Sequence, residues 1–192
     1  MKKYLGILLF LFVSIGVFAQ EHLTFKGIPI DGSLNSFVNK LESQGFRKIG
    51  DATDNMIQMK GPFGGEECFV VIFGTKTTQT AHTVIVIVEE SNTWSTLKST
   101  YYEYKASLAQ KYEKTNSIER FKDPYYEGDG YEISALRLDK CFYASYFKSD
   151  KGNVYVAISY LEGEGVVILS YEDLLNSKKD EGEETALRSS DL

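Results

Sequence analysis

Histidine and cysteine are almost missing from this chain: His22, His82, Cys68 and Cys141 are all it has in 192 residues. The shortage removes most metal and nucleophile chemistry. A zinc site needs three or four closely placed ligands, and a nucleophile needs a base and an orienting group beside it. Nothing near His82 in sequence offers an activated nucleophile, so it reads as a structural residue at a strand start. His22 reads as a mobile residue close to a processed N-terminus. Basic clusters are equally scarce. The one compact pair, Lys178 and Lys179, runs straight into Asp180 and Glu181, which excludes the cationic footprint of nucleic-acid binding. Gly61, Gly64 and Gly65 do not form a phosphate-cradling loop, because no lysine follows them and Glu66 and Glu67 would repel an anion. No cofactor and no metal are expected.

What is present at the start of the chain is an export signal. Lys2 and Lys3 precede an apolar run, Leu5 to Phe18, that holds no charge, and Val17-Phe18-Ala19 before Gln20 suits a cut after Ala19. A membrane-spanning helix needs about 20 apolar residues, and this run is shorter. The expectation is a signal peptide over 1–19, no transmembrane anchor after its removal, and a periplasmic or extracellular address. Loss of Lys2 and Lys3 moves the formal charge from −6 to −8.

The remainder reads as one α+β domain over 20–176 followed by a disordered acidic tail over 177–192. Leu34, Phe37, Val38 and Leu41 recur at helical spacing, with Asp31 or Ser33 as cap and Gly45 as stop. Trp94, Leu97, Tyr101, Tyr104, Leu108 and Tyr112 form a second stripe, predicting a helix from Trp94 to about Glu113 capped by Asn92 or Thr93. The other ordered segments read as strands: 56–59, 68–73, 84–88, 117–121, 131–138, 141–147, 154–160 and 166–171, separated by turn residues. Along one of them Val154, Val156, Ile158 and Tyr160 share a face, while Tyr155, Ala157 and Ser159 share the other. The predicted architecture is an antiparallel meander with two amphipathic helices packed on one face. Helix followed by strands occurs twice, which suggests a tandem duplication with halves 23–90 and 92–172.

Cys68 and Cys141 are a candidate disulfide in an oxidising compartment, with two buried free thiols as the alternative. The carboxylates Asp123, Glu127, Asp129 and Glu132 surround Tyr125 and Tyr126; their spacing fits no EF-hand, and they usually face water beside a turn. A glycosidase pair among Asp123, Glu127 and Asp129 is the catalytic alternative. Binding is the stronger theme, because 13 tyrosines and 12 phenylalanines accompany a single tryptophan, and exposed tyrosine builds interfaces at low entropic cost. The candidate binding residues are Tyr102, off the helical stripe, Tyr125 and Tyr126 in their turn, and Tyr155 on the second strand face.

The segments FKGIPIDGSLNSFVNKLESQGF (Phe25 to Phe46), MKGPFGGEECFVVIF and LAQKY resemble a family of uncharacterised secreted proteins of Bacteroidota. The resemblance covers most of the processed chain and implies periplasmic or surface residence. The repeated helix-plus-sheet order also resembles tandem folds of the β-lactamase-inhibitor-protein type, whose role is to bind other proteins; this is likeness of fold, which does not fix function. The sequence thus points to a noncatalytic binding module of the cell envelope that recognises a protein or peptide.

Overall fold

The computed structural model describes residues 21–50, 53 and 55–190; the segment read as a signal peptide lies outside them. The first ordered piece is a small ribbon, β1 (Thr24–Phe25) and β2 (Ile28–Pro29), closed by Lys26 and Gly27 at φ of 53° and 78°. Two positive φ values in a two-residue loop define the hairpin turn whose twist matches its strands. Helix α1 (Leu34–Glu42) begins at Ser33, whose hydroxyl accepts the Ser36 N–H at 3.2 Å, and it buries Leu34, Phe37, Val38 and Leu41. Each such side chain contributes roughly 1.5–3 kcal/mol on leaving water.

Four strands follow: β3 (Arg47–Lys48), β4 (Met56–Phe63), β5 (Glu66–Gly74) and β6 (Ala81–Ser91). Helix α2 (Trp94–Ala109) comes next, then β7 (Glu113–Phe121), the short helix α3 (Glu132–Arg137), β8 (Cys141–Lys148), β9 (Gly152–Leu161), β10 (Glu164–Asp173) and helix α4 (Leu174–Ser190). The large strands join in one antiparallel sheet of order β3-β4-β5-β6-β10-β9-β8-β7. Two four-strand meanders, each introduced by a helix, therefore meet at their last strands, β6 and β10. The α+β antiparallel class expected from the sequence holds.

Alternation decides what each strand buries. Val70 and Ile72, Val84 and Val86, Val167 and Leu169, and Val154 and Val156 are all within 1% of full burial. α2 lies over this side of β6, β8, β9 and β10 and buries Leu97, Tyr101 and Leu108. Gly165 makes that approach possible: a Cβ there would collide with Leu97 Cδ1 and sit 2.8 Å from the Ser91 carbonyl. Phe25 stacks on Phe63 at 5.6 Å and meets the edge of Tyr171 at 5.4 Å, so the N-terminal ribbon closes the same core.

The ends of the chain meet at a buried polar knot. Asp173 is fully buried; its carboxylate accepts N–H bonds from Leu23 (2.8 Å) and Asn176 (3.0 Å), the latter capping α4. The Asn176 amide in turn donates to the carbonyls of Ile30 (3.0 Å) and Ala81 (2.9 Å). His22, expected to be mobile, is held between Asp173 (3.1 Å) and Asp31 (3.6 Å).

Three further expectations are corrected. The segment read as a strand over 131–138 contains α3, with Ala135 and Leu136 buried, so β7 pairs directly with β8. The long helix stops at Ala109, and Glu113 already belongs to β7. The segment read as a disordered tail over 177–192 is helical as far as Ser190, because polar contacts dock it. The Glu183 carboxylate accepts the Thr77 and Thr78 N–H groups at 2.7 and 3.2 Å, Asp180 accepts the Lys76 N–H at 3.1 Å, and Lys179 donates to Thr80 Oγ1 at 2.7 Å. Burial opposes the charge on Glu183, yet the Thr78 hydroxyl, donating at 2.6 Å, and the Thr77 and Thr78 N–H groups hold its pKa down at about 2.

Candidate functional site: the second face of the sheet

The residues alternating with the core set point away from α2, and their cross-strand register aligns them into rungs. One rung runs Lys60–Phe69–Ile87–Ile168–Ala157–Ala144–Ile118, crossing seven strands with an apolar side chain at every step after Lys60. The next runs Gln58–Val71–Ile85–Ser170–Tyr155–Tyr146–Asn116. Most of these side chains are half-buried, Tyr146 is 40% exposed, and Ser170 is closed off by its neighbours.

Two grooves cut this face. One of about 320 Å³ is lined by Phe69, Val71, Ile87, Glu90, Glu164 and Val166 among others; one of about 450 Å³ lies over Ala144, Ala157 and Ser159 between the rings of Phe142 and Tyr146. Small residues make the floor of the second groove and aromatic ones its walls. Cations lie over the outer rings: Lys60 Nζ is 4.1 Å from the Phe69 centroid and Lys122 Nζ 4.4 Å from that of Phe142. Each such contact at an exposed site contributes about 0.5–1 kcal/mol and fixes a charge at the rim. Tyr155 and Tyr146 approach at 5.8 Å, and burial pushes the Tyr155 phenol above its ordinary pKa.

The four tyrosines singled out from sequence do not converge. Tyr155 alone lies on this face. Tyr102 stands on α2, where its hydroxyl donates to Glu119 at 2.9 Å. Tyr126 is 65% exposed in the loop after β7, and Tyr125 beside it packs partly against the core. Alternation did place Tyr155 correctly, and the same rule applied to β5, β6 and β8 would have added Phe69, Ile87, Phe142 and Tyr146.

Three of the four carboxylates, Glu127, Asp129 and Glu132, are committed to structure. Asp129 accepts the N–H groups of Tyr126 (3.0 Å) and Tyr131 (2.7 Å), and Glu132 that of Gly128 (2.8 Å), so the loop is closed on itself. Glu127 pairs with Lys98 and accepts the Tyr143 hydroxyl at 3.2 Å, and these bonds, the Lys98 contact foremost, hold its pKa below the ordinary carboxylate value. Asp123 precedes Pro124 in the same loop. The cysteines are free and buried on β5 and β8. Four strand spacings separate those strands, about 19 Å, far beyond the roughly 7 Å a disulfide tolerates, which rules out the candidate bridge.

A serine–lysine grouping lies beneath α2. Tyr101 Oη is 2.6 Å from Ser145 Oγ and donates to Glu119 at 3.0 Å; Ser117 Oγ is 2.8 Å from Ser145 Oγ, and Lys105 donates to Ser117 at 3.2 Å. Lys105 is also ion-paired with Glu119, so its ammonium bridges the carboxylate and the Ser117 hydroxyl. Burial opposes the Glu119 charge, but donation from Lys105, Tyr102, Tyr101 and Ser117 wins and brings its pKa to about 2. The cluster clamps α2 to the β7–β8 edge. Among the described residues, no group of three His, Cys, Asp or Glu side chains is arranged to hold a metal, and no helix is long and apolar enough to cross a membrane.

No family model, curated protein or solved structure matches the chain.

Proposed function

We propose that the chain is a noncatalytic binding module of the cell envelope that recognises a protein through the second face of its sheet, with α1 and α2 together forming the layer on the first. One observation carries this reading. CFVVIF in β5, TVIVIV in β6 and VVIL in β10 are apolar on both sides, whereas an antiparallel sheet wet on one face alternates apolar with polar. Strands written for two covers, with one cover supplied by helices, call for a second from elsewhere. The apolar leader, with its charge-free run, and the likeness to secreted Bacteroidota proteins support an exported setting. The two helix-plus-meander units fit a tandem duplication, as in inhibitor proteins of that architecture.

The test is a crosslinking capture from native envelope, using the protein, an Ile168→Asp variant on the central rung and a Tyr126→Ala control on the loop. Capture by the first and third but not the second is the expected result. Equal capture by all three would remove the sheet face from consideration.

A further inference from the structure

We infer that the partner of this face is a second copy of the same chain, seated face to face about a two-fold axis that runs along β9; the inference rests on the binding role just assigned to the face. The argument is the register. Strands β10 and β6 lie one and two positions to one side of β9, and β8 and β7 one and two positions to the other. A two-fold parallel to β9 sets each residue against the one equally far on the opposite side of the same rung. It also aligns the strands of the two copies, as in packed sheets about 10 Å apart.

The charged residues on the opposing positions are complementary, as are the apolar ones of the central rung. Toward the Leu161 end of β9, Glu90 sits two strands out through Val166 and Ser159; continuing the Tyr143–Ile158 register by one residue sets Phe142 beside Ser159, so Arg120, paired with Phe142, sits two strands out on the other side, and each Glu90 then meets the other copy's arginine. On the opposite outer rung Glu172, which accepts the Asn153 amide at 3.1 Å, and Lys148, which lies 3.6 Å from Glu113 of its own chain, flank Asn153 one strand out on either side, and they too meet. Between these charged rungs lie two others: the apolar rung places Ile87 on Ile118 and Ile168 on Ala144 with small Ala157 on the axis, and the next places Tyr146 on Ser170 and Ile85 on Asn116 with Tyr155 meeting its own copy on the axis. A chain of net charge −6 repels its copy at long range, so association requires this local exchange of opposite charges. An isologous contact needs a patch complementary to itself, and a patch for an unrelated partner has no reason to carry that symmetry.

Sedimentation equilibrium of the protein expressed without its leader, from about 1 to 100 μM, reads the result directly. A monomer–dimer equilibrium is expected. Glu90→Arg and Arg120→Glu should each weaken it by about tenfold or more, through like charges brought together. A one-to-one mixture of the two variants should restore pairing as a heterodimer, since every contact is then opposite in charge. Both positions are exposed, so folding survives, and circular dichroism checks it. A protein monomeric throughout, or a dimer indifferent to both reversals, overturns the self-pairing. If the protein is monomeric while Ile168→Asp still abolishes envelope capture, the self-pairing alone fails; if capture survives Ile168→Asp, the face itself fails.

Discussion

The two faces of the sheet are made by the same strands and differ in what completes them. The face under α2 has its apolar residues sealed to within a few per cent, and its polar atoms are paired in the Tyr101–Ser145–Ser117–Glu119–Lys105 cluster. The other face repeats the apolar content, yet Phe69, Val71, Ile85, Ile87 and Ile168 remain half-buried. Apolar side chains on the first face therefore hold the fold, and those on the second are free to serve association. Hydrophobicity alone does not distinguish the two uses; the cover does.

Substitution should separate the faces by size of effect. Leu169→Ala, 1% exposed beneath the helix layer, should cost about 2–5 kcal/mol, read by urea unfolding, because a cavity is left with nothing to fill it. Asn176→Ala should cost about 2 kcal/mol or more by the same measurement, since two buried carbonyls, of Ile30 and Ala81, lose their donor. Ile87→Ala on the second face should cost less than either, about 1 kcal/mol, while weakening association. If Ile87→Ala matched Leu169→Ala in unfolding, the two faces would be equivalent and the contrast would collapse.

Acid sharpens the contrast in another way. The Glu119 pKa falls from 4.5 to about 2 on folding, so its contribution to stability is fully present above about 4.5 and is lost as pH drops toward 2. Glu119→Gln should lower stability at neutral pH and flatten the fall between those limits, measured as unfolding midpoint against pH. An unchanged slope would show that the clamp under α2 does not depend on the carboxylate charge.

The sequence made the apolar framework legible and left the polar docking hidden. Stripes at helical spacing placed α1 and α2, and β-branched runs placed the strands, because each reflects burial along one element. α4 escaped because its docking uses Lys179, Asp180 and Glu183 against the loop between β5 and β6, which leaves no apolar stripe to read. α3 escaped because its six residues make fewer than two helical turns, too few for a stripe at helical spacing to show. The candidate face was half legible: alternation put Tyr155 on it, but the rungs that join Phe69 to Ile118 depend on register between strands distant in sequence. The Cys68–Cys141 question likewise needed the strand order.

The most direct test of the central claim is hydroxyl-radical footprinting of dilute purified protein against the same protein in the cells that make it. Phe69, Phe142 and Tyr146 should be labelled in the first and protected in the second, while Tyr126 and Tyr131 on the exposed loop stay equally labelled in both. Equal labelling of Phe69, Phe142 and Tyr146 in the two settings would contradict the claim that this face is covered by a partner.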